Sequence, residues 1–239
     1  MKGYGIMKQH IHRVIAVLTL FAVPVTAALA SDVAQFTNLG FSPDSRVFMF
    51  AQYGITSDSS HPYADIFTVD VPANAFIAAG LESEEYAMAI SAGQDGRGAL
   101  FSLLPELRPV IERYGISHLR QGRLVYLYVN GEEEPREIAF RDFDSGDRYT
   151  ISMTQSARGS GMSGSAAFHL DVVAQYADGT LVEERVGRPG FFRDGVNRYR
   201  IAQVIASPDG RSLVAVVERI TDTGSGQRIR YMVETVRLR

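Results

Sequence analysis

Apolar and polar residues alternate with period two over most of this chain, and this alternation limits the possible fold more than any other feature. Successive side chains of a strand point to opposite faces, so alternation indicates strands with one buried face. Turn sequences typical of hairpins, such as Asn130-Gly131, separate many of these runs. We therefore predict about ten strands, mostly paired with antiparallel neighbours. The alternating runs are 46–53, 65–71, 122–129, 137–143, 149–155, 167–176, 181–186, 199–207, 212–219 and 229–238.

Two stretches depart from this alternation. Residues 73–93 are rich in alanine and glutamate, and residues 98–114 place leucine, valine and isoleucine at helical spacing. We predict helices or broken helices in an insertion near residues 73–117. Pro105 and Pro109 argue for a break in the second helix, because an interior proline costs a helix about 3 kcal/mol.

Two distant segments share a Ser-Pro-Asp turn followed by arginine and an alternating strand, one beginning at Ser42 and the other at Ser207. Counted from the aspartate, the fourth and sixth residues are apolar in both copies. The aligned pairs are Phe48 with Leu213 and Phe50 with Ala215. Proline and aspartate favour the corner of a tight turn, so we expect each copy to lead into a core strand.

The repeated unit resembles the four-stranded blade of TolB-type β-propellers. Two copies are too few for a closed propeller, which needs four or more blades. The resemblance implies a mainly β fold of antiparallel, blade-like sheets. We expect a small, sandwich-like or partial-propeller-like β domain that spans residues 31–239 as a single unit.

A wider pattern resembles a family of predicted secreted bacterial proteins, a domain of unknown function. The matching segments are Asn38-Leu-Gly-Phe-Ser-Pro-Asp44, Phe48-Met-Phe-Ala-Gln-Tyr-Gly54, His61-Pro-Tyr-Ala-Asp-Ile-Phe67, Tyr199-Arg-Ile201 and Ser207-Pro-Asp-Gly-Arg-Ser-Leu-Val-Ala-Val-Val-Glu218. The resemblance implies export and a β-rich fold, and it brings no activity.

Residues 1–30 have the features of a secretory signal peptide. They carry three basic residues and no acidic one, then an apolar run of about 16 residues that ends in Ala28-Leu29-Ala30. That run is shorter than the ~20 residues of a membrane span. We predict cleavage after Ala30, a mature chain that begins at Ser31 without a membrane span, and a periplasmic or secreted location.

The composition excludes several classes of protein. With no cysteine, the chain can form neither disulfides nor thiolate metal sites. Its net charge of −3 argues against a nucleic-acid partner. The charge is uneven, because residues 185–239 hold 11 arginines and only 5 acidic residues. This segment either binds anions or packs against the more acidic part of the chain.

Two motifs resemble known sites without completing them. Residues 159–164 fit G-x-G-x-x-G, but a strand rather than a helix is predicted to follow, so we expect a loop. The acidic turn 142–147 lacks the glutamate at the twelfth position of a calcium loop, so we expect a polar hairpin turn. The mature histidines are not at metal-ligand spacing. We expect no cofactor and no metal site.

The loop between the first and second alternating segments, residues 54–63, is the strongest candidate for a binding surface. It contains Asp58 and His61 and is flanked by Tyr53 and Tyr63. Aromatic side chains beside a polar loop suit contacts with a ligand or partner. The alternative is that the two tyrosines simply pack across the hairpin.

No catalytic motif is evident, so we expect a non-enzymatic periplasmic binding or interaction module, with a component of the cell envelope or another protein as its possible partner. The alternative is a hydrolase that acts on envelope material through carboxylates such as Asp58, Asp65 or Asp142. Two carboxylates about 5–9.5 Å apart in one cleft would favour glycoside hydrolysis.

Overall fold

The computed structural model describes residues 32–91, 93–129, 134–224 and 226–239. The predicted signal peptide and the predicted new terminus, Ser31, lie outside these ranges. The described chain is mainly β, with antiparallel sheets and one short helical segment, which confirms the predicted fold class.

Three sheets account for most of the structure. The strands, in chain order, are β1 (Asp32–Val33), β2 (Gln35–Phe41), β3 (Val47–Ile55), β4 (Pro62–Asp70), β5 (Ala75–Glu85), β6 (Arg123–Leu127), β7 (Glu137–Arg141), β8 (Arg148–Arg158), β9 (Ser165–Gln175), β10 (Leu181–Gly187), β11 (Arg193–Asp194), β12 (Arg198–Ala206), β13 (Ser212–Thr223) and β14 (Gly226–Arg237). The N-terminal sheet has the order β2-β3-β4-β5, the central sheet β1-β14-β13-β12-β6, and the third sheet β10-β9-β8-β7 with β11 beside β9. Neighbouring strands are antiparallel except for β1 and β14, which are parallel.

The central sheet is packed between the other two. Val214 and Val216 of β13 face the N-terminal sheet and contact a core that includes Phe48 and Phe50. Residues Leu213, Ala215 and Val217 of the same strand face the third sheet. Because β13 is buried on both faces here, residues 213–217 are all apolar, and the alternation expected over 212–219 is absent from these five residues.

The burial expected for the two Ser-Pro-Asp segments is confirmed. Phe48 and Phe50 are fully buried, and Leu213 and Ala215 are at most 4% exposed. The two pairs nevertheless lie in different cores, the first between the N-terminal and central sheets and the second between the central and third sheets.

The helical segment covers the outer face of the N-terminal sheet. It consists of α1 (Arg97–Leu103), a 3₁₀ turn (Leu104–Leu107) and α2 (Arg108–Tyr114). Buried leucines of this segment pack against β3 residues such as Met49. Pro105 and Pro109 each fall at the first positions of a new helical piece, where a missing N–H is tolerated.

The helical prediction for residues 73–93 is wrong, because residues 75–85 form the edge strand β5. Gly80 weakens any helix there by about 1 kcal/mol. Gly80 instead lies so close to β4 that an added Cβ would be 2.4 Å from the Cβ of Thr68. Pairing with β4 therefore outweighs the helix propensity of the alanines, and the helical segment begins only at Arg97.

Candidate functional site

The two tyrosines of the candidate loop lie on opposite faces of the N-terminal sheet. Tyr53 faces the helices, and its hydroxyl accepts a hydrogen bond from Arg97 Nε at 3.2 Å. Tyr63 faces the central sheet, where the Arg230 guanidinium lies 4.4 Å from the ring centroid. The cause is register, because Tyr53 pairs with Ala64 while Tyr63 pairs with the adjacent Gly54. The tyrosines therefore do not pack on each other.

The Tyr63 hydroxyl is buried and has no hydrogen-bond partner among the residues that the structure describes. Burial raises the pKa of this phenol above its ordinary value. The charge of the neighbouring Arg230 lowers this pKa and is the largest of the charge effects on it. Tyr63 thus belongs to the packed interface between two sheets rather than to an exposed loop surface.

Asp58 and His61 are held by different partners. The exposed Asp58 carboxylate lies 3.1 Å from the Arg228 guanidinium, which also reaches the buried Asp32. His61 Nδ1 lies 3.2 Å from Glu85 Oε1, which also accepts a hydrogen bond from the Ser59 hydroxyl at 2.6 Å. The loop is therefore tied at one end to the central sheet and at the other to the edge strand β5.

A pocket of about 530 Å³ begins immediately beyond His61. It lies between the start of β4, the chain that follows β5, and α1. Its lining consists of Pro62, Tyr86, Met88, Ala89, Ile90, Gly93, Gln94, Asp95, Gly98, Ala99 and Ser102. Most of these residues are apolar, and the polar groups are few. Small-molecule sites in proteins commonly have this size and a mainly apolar lining with a few polar groups.

Close backbone packing fixes the chain next to this pocket. Gly96 lies against β3 so tightly that an added Cβ would be 2.1 Å from the Gly54 carbonyl oxygen. Asp95 accepts a hydrogen bond from the Arg97 N–H at 3.0 Å, which fixes the start of α1. On the opposite side, the Tyr86 N–H donates to the Pro62 carbonyl at 2.9 Å. At Gly98 an added Cβ would meet no atom within 4 Å, so this position opens onto free space.

Most of the pocket was not predicted from the sequence. Of its lining residues, Pro62 belongs to the predicted loop, and the rest fall in the stretch that we expected to be helical. Residues 86–91 in fact form an irregular connection between β5 and α1. The detectable signal was the run Gly93 to Gly98, whose three glycines and Asp95 are typical of a break before a helix.

The three carboxylates named for hydrolysis have separate surroundings. Asp58 pairs with Arg228, whereas Asp65 accepts hydrogen bonds from Gln52 Nε2 at 2.9 Å and from the Ser83 hydroxyl. Asp142 lies in the turn between β7 and β8 and pairs with Arg123.

Burial works to raise the pKa of Asp142, but the Asp144 N–H and the Arg123 guanidinium together hold this pKa below its usual value. Asp142 therefore remains ionised and paired with Arg123. Each of the three carboxylates thus has its own hydrogen-bond or ion-pair partners.

The structure also describes the acidic turn 142–147 and the glycine-rich segment 159–164. In the acidic turn, Asp147 accepts a hydrogen bond from the Ala177 N–H at 3.0 Å and pairs with Arg239. Within the described ranges, no group of three or more histidine or acidic side chains could hold a metal ion. The glycine-rich segment 159–164 contains a short 3₁₀ turn and is followed by β9, so a strand does follow it.

Comparison with known proteins gives one match. The family model described as "Predicted secreted protein (DUF2259)" matches residues 49–237. Searches of the curated proteins and of the solved structures found no match. The part of the chain that the structure describes contains no helix that is long and apolar enough to cross a membrane.

Proposed function

The chain belongs to this family of predicted secreted proteins, and from that premise we propose that it acts in the periplasm as a binding module. Its ligand would be a small, largely apolar molecule held in the pocket beside α1. The observation that carries the proposal is the pocket itself, with a volume of about 530 Å³ and a mainly apolar lining.

The pocket also suggests how a ligand would be oriented. Its polar side-chain groups are those of Gln94, Asp95 and Ser102 and the hydroxyl of Tyr86. Met88, also on the lining, is more than half exposed. An unbranched methionine adapts its shape to irregular apolar partners. A ligand with one polar group and an apolar body would therefore satisfy both kinds of lining.

Adding a side chain at Gly98 tests this proposal. Gly98 lines the pocket, and an added Cβ meets nothing within 4 Å, so Gly98→Leu can add a side chain at the pocket lining without displacing the atoms around its Cβ. The change also removes a glycine from α1, which favours the helix by up to about 1 kcal/mol. Fluorescence titration with the apolar probe N-phenyl-1-naphthylamine should show binding to the wild type and at least tenfold weaker binding to Gly98→Leu.

Gly224→Leu is the matched control. It adds the same side chain at a second glycine with open space around it, in the turn after β13 and outside the pocket lining. This variant should bind the probe as the wild type does. If Gly98→Leu also bound the probe with unchanged affinity, the pocket would not be the binding site.

A further inference from the structure

A second cleft lies where the three sheets meet. It has a volume of about 390 Å³ and is lined by the start of β5, the chain around β11 and the middle of β14. Its chemically distinctive residues are Asn74, Phe76, Arg188, Arg193 and Glu234. It shares no lining residue with the pocket beside α1, so it is a separate site.

Glu234 provides a buried carboxylate at this cleft. Its Oε2 atom accepts a hydrogen bond from Asn74 Nδ2 at 2.5 Å, whereas no described residue donates to Oε1. Asn74 has a positive φ of 47° and is held in place by the Thr235 N–H, which donates to its side-chain oxygen at 2.8 Å. Burial raises the pKa of Glu234 above the usual value for glutamate.

Two arginines on the lining face this carboxylate without contacting it. Arg188 and Arg193 both act electrostatically to lower the pKa of Glu234, yet neither forms an ion pair with any acidic residue in the described ranges. Arg193 is fixed by the Tyr199 hydroxyl at 3.4 Å and by the Phe191 ring, whose centroid is 5.0 Å away. The two arginines and Glu234 therefore line the same cleft with opposite charges and do not pair with each other across it.

A third arginine adds positive charge behind the cleft. Arg219 of β13 pairs with Arg230 of β14, two residues along β14 from the lining residue Met232. Its Nε atom is buried and has no hydrogen-bond partner among the described residues. Burial lowers the pKa of Arg219, and the charge of the nearby Arg193 lowers it further. The arginine excess of residues 185–239 is thus partly concentrated at one place.

We propose that this cleft binds a small zwitterion of the α-amino acid type, with its carboxylate towards Arg188 and Arg193 and its ammonium group towards Glu234. Arginine binds carboxylates through paired charge-assisted hydrogen bonds, and a carboxylate accepts them from an ammonium group. The half-exposed ring of Phe76 gives an apolar surface for the rest of the ligand. The two charged ends of the ligand would complete pairs that the protein leaves open.

Three probes with the same phenyl group test the charge requirement. L-phenylalanine carries both charges, 3-phenylpropionate only the carboxylate, and phenethylamine only the ammonium group. Isothermal titration calorimetry with the exported protein should give a dissociation constant for L-phenylalanine that is at least tenfold lower than the constants for 3-phenylpropionate and phenethylamine. Equal affinity for all three, or no binding of L-phenylalanine at millimolar concentrations, would overturn the proposal.

Two variants locate the site. Arg188→Gln should weaken L-phenylalanine and 3-phenylpropionate at least tenfold and leave phenethylamine unchanged. Glu234→Gln should weaken L-phenylalanine and phenethylamine and leave 3-phenylpropionate unchanged or tighter. Arg211→Gln, at an exposed arginine in the turn before β13, is the matched control and should change nothing. Binding that survives in Arg188→Gln, or that is lost only in Gly98→Leu, would place the ligand elsewhere.

Discussion

Ser42 and Ser207 make the same set of hydrogen bonds, although the strands that follow their turns, β3 and β13, belong to different sheets. Each hydroxyl donates to the aspartate two residues later, at 2.7 and 2.6 Å, and accepts from the N–H five residues later, at 2.9 and 3.0 Å. Each backbone N–H also donates to the carbonyl five residues later at 2.9 Å. The two Ser-Pro-Asp segments are therefore equivalent turns, as their shared sequence predicts.

Both serines should contribute measurably to stability. In Ser42→Ala the N–H of Val47 loses its acceptor in a buried place, and in Ser207→Ala the N–H of Ser212 does. A buried donor without a partner costs about 1–3 kcal/mol. Denaturant unfolding should show that loss in each variant. Ser57→Ala, at an exposed serine, should stay within about 0.5 kcal/mol of the wild type.

The position three residues after each of these serines should show opposite mutational effects in the two copies. Ser45 and Gly210 both have left-handed backbones, with φ of 57° and 69°. This conformation destabilises the folded state by about 1–2 kcal/mol for a residue with a Cβ. Glycine avoids that cost, but part of the gain is offset because glycine gives the unfolded chain more conformational entropy. We expect Ser45→Gly to raise the free energy of unfolding by about 0.5–1 kcal/mol and Gly210→Ala to lower it by a similar amount. The same sign in both variants would contradict this explanation.

Local features of this fold were predictable, and long-range ones were not. The turns at Ser42 and Ser207 and most strands follow from short patterns in the sequence. Strand β5 was not predictable, because most of its side chains are exposed on both faces and no alternation marks it. The order of the sheets depends on contacts between distant residues, such as the hydrogen bond from the Tyr231 N–H to Gln52 Oε1.

The candidate sites likewise divide into a local one that was predictable and a long-range one that was not. The loop residues Asp58 and His61 were identifiable as polar residues at the end of a hairpin, and they remain a prediction of a binding surface. The cleft with Glu234 was not identifiable, because the side chains that line it come from three sheets. Only the excess of arginine after residue 184 pointed to a concentration of positive charge.

The core between the N-terminal and central sheets should depend strongly on Phe50. This side chain is fully buried, and its ring lies 4.9 Å from that of Phe67 and 5.6 Å from that of Phe36. Emptying a buried aromatic site costs about 3–5 kcal/mol. Denaturant unfolding of Phe50→Ala should show this loss. Phe143→Ala, which removes a ring that is 89% exposed, should cost under about 0.5 kcal/mol.

Export predicts a defined new N-terminus. If the Ala28-Leu29-Ala30 sequence is a signal-peptidase site, the protein recovered from the periplasm should begin at Ser31. Intact-mass spectrometry of the recovered protein measures this directly. A recovered species that still contains residues 14–30 would contradict cleavage.

Glu234 should make stability depend on pH in the direction opposite to that of a carboxylate in a salt bridge. Because burial raises its pKa in the folded protein, folding favours the protonated form. The stabilising contribution of this group is complete below the unfolded value of 4.5 and is lost as the pH rises through the folded value. At neutral pH, which is above the unfolded value, the raised pKa is therefore a cost to the stability of the wild type.

Glu234→Gln should remove that cost while keeping an acceptor for the Asn74 amide. We expect the variant to be more stable than the wild type at pH 7 and the difference to shrink towards pH 4, where Glu234 is protonated. Thermal unfolding of both proteins across this range measures the difference. A constant difference at all pH values would mean that the substitution acts through packing. If the variant is also the one that loses the ammonium-bearing probes, the instability of Glu234 is the cost of an open binding site.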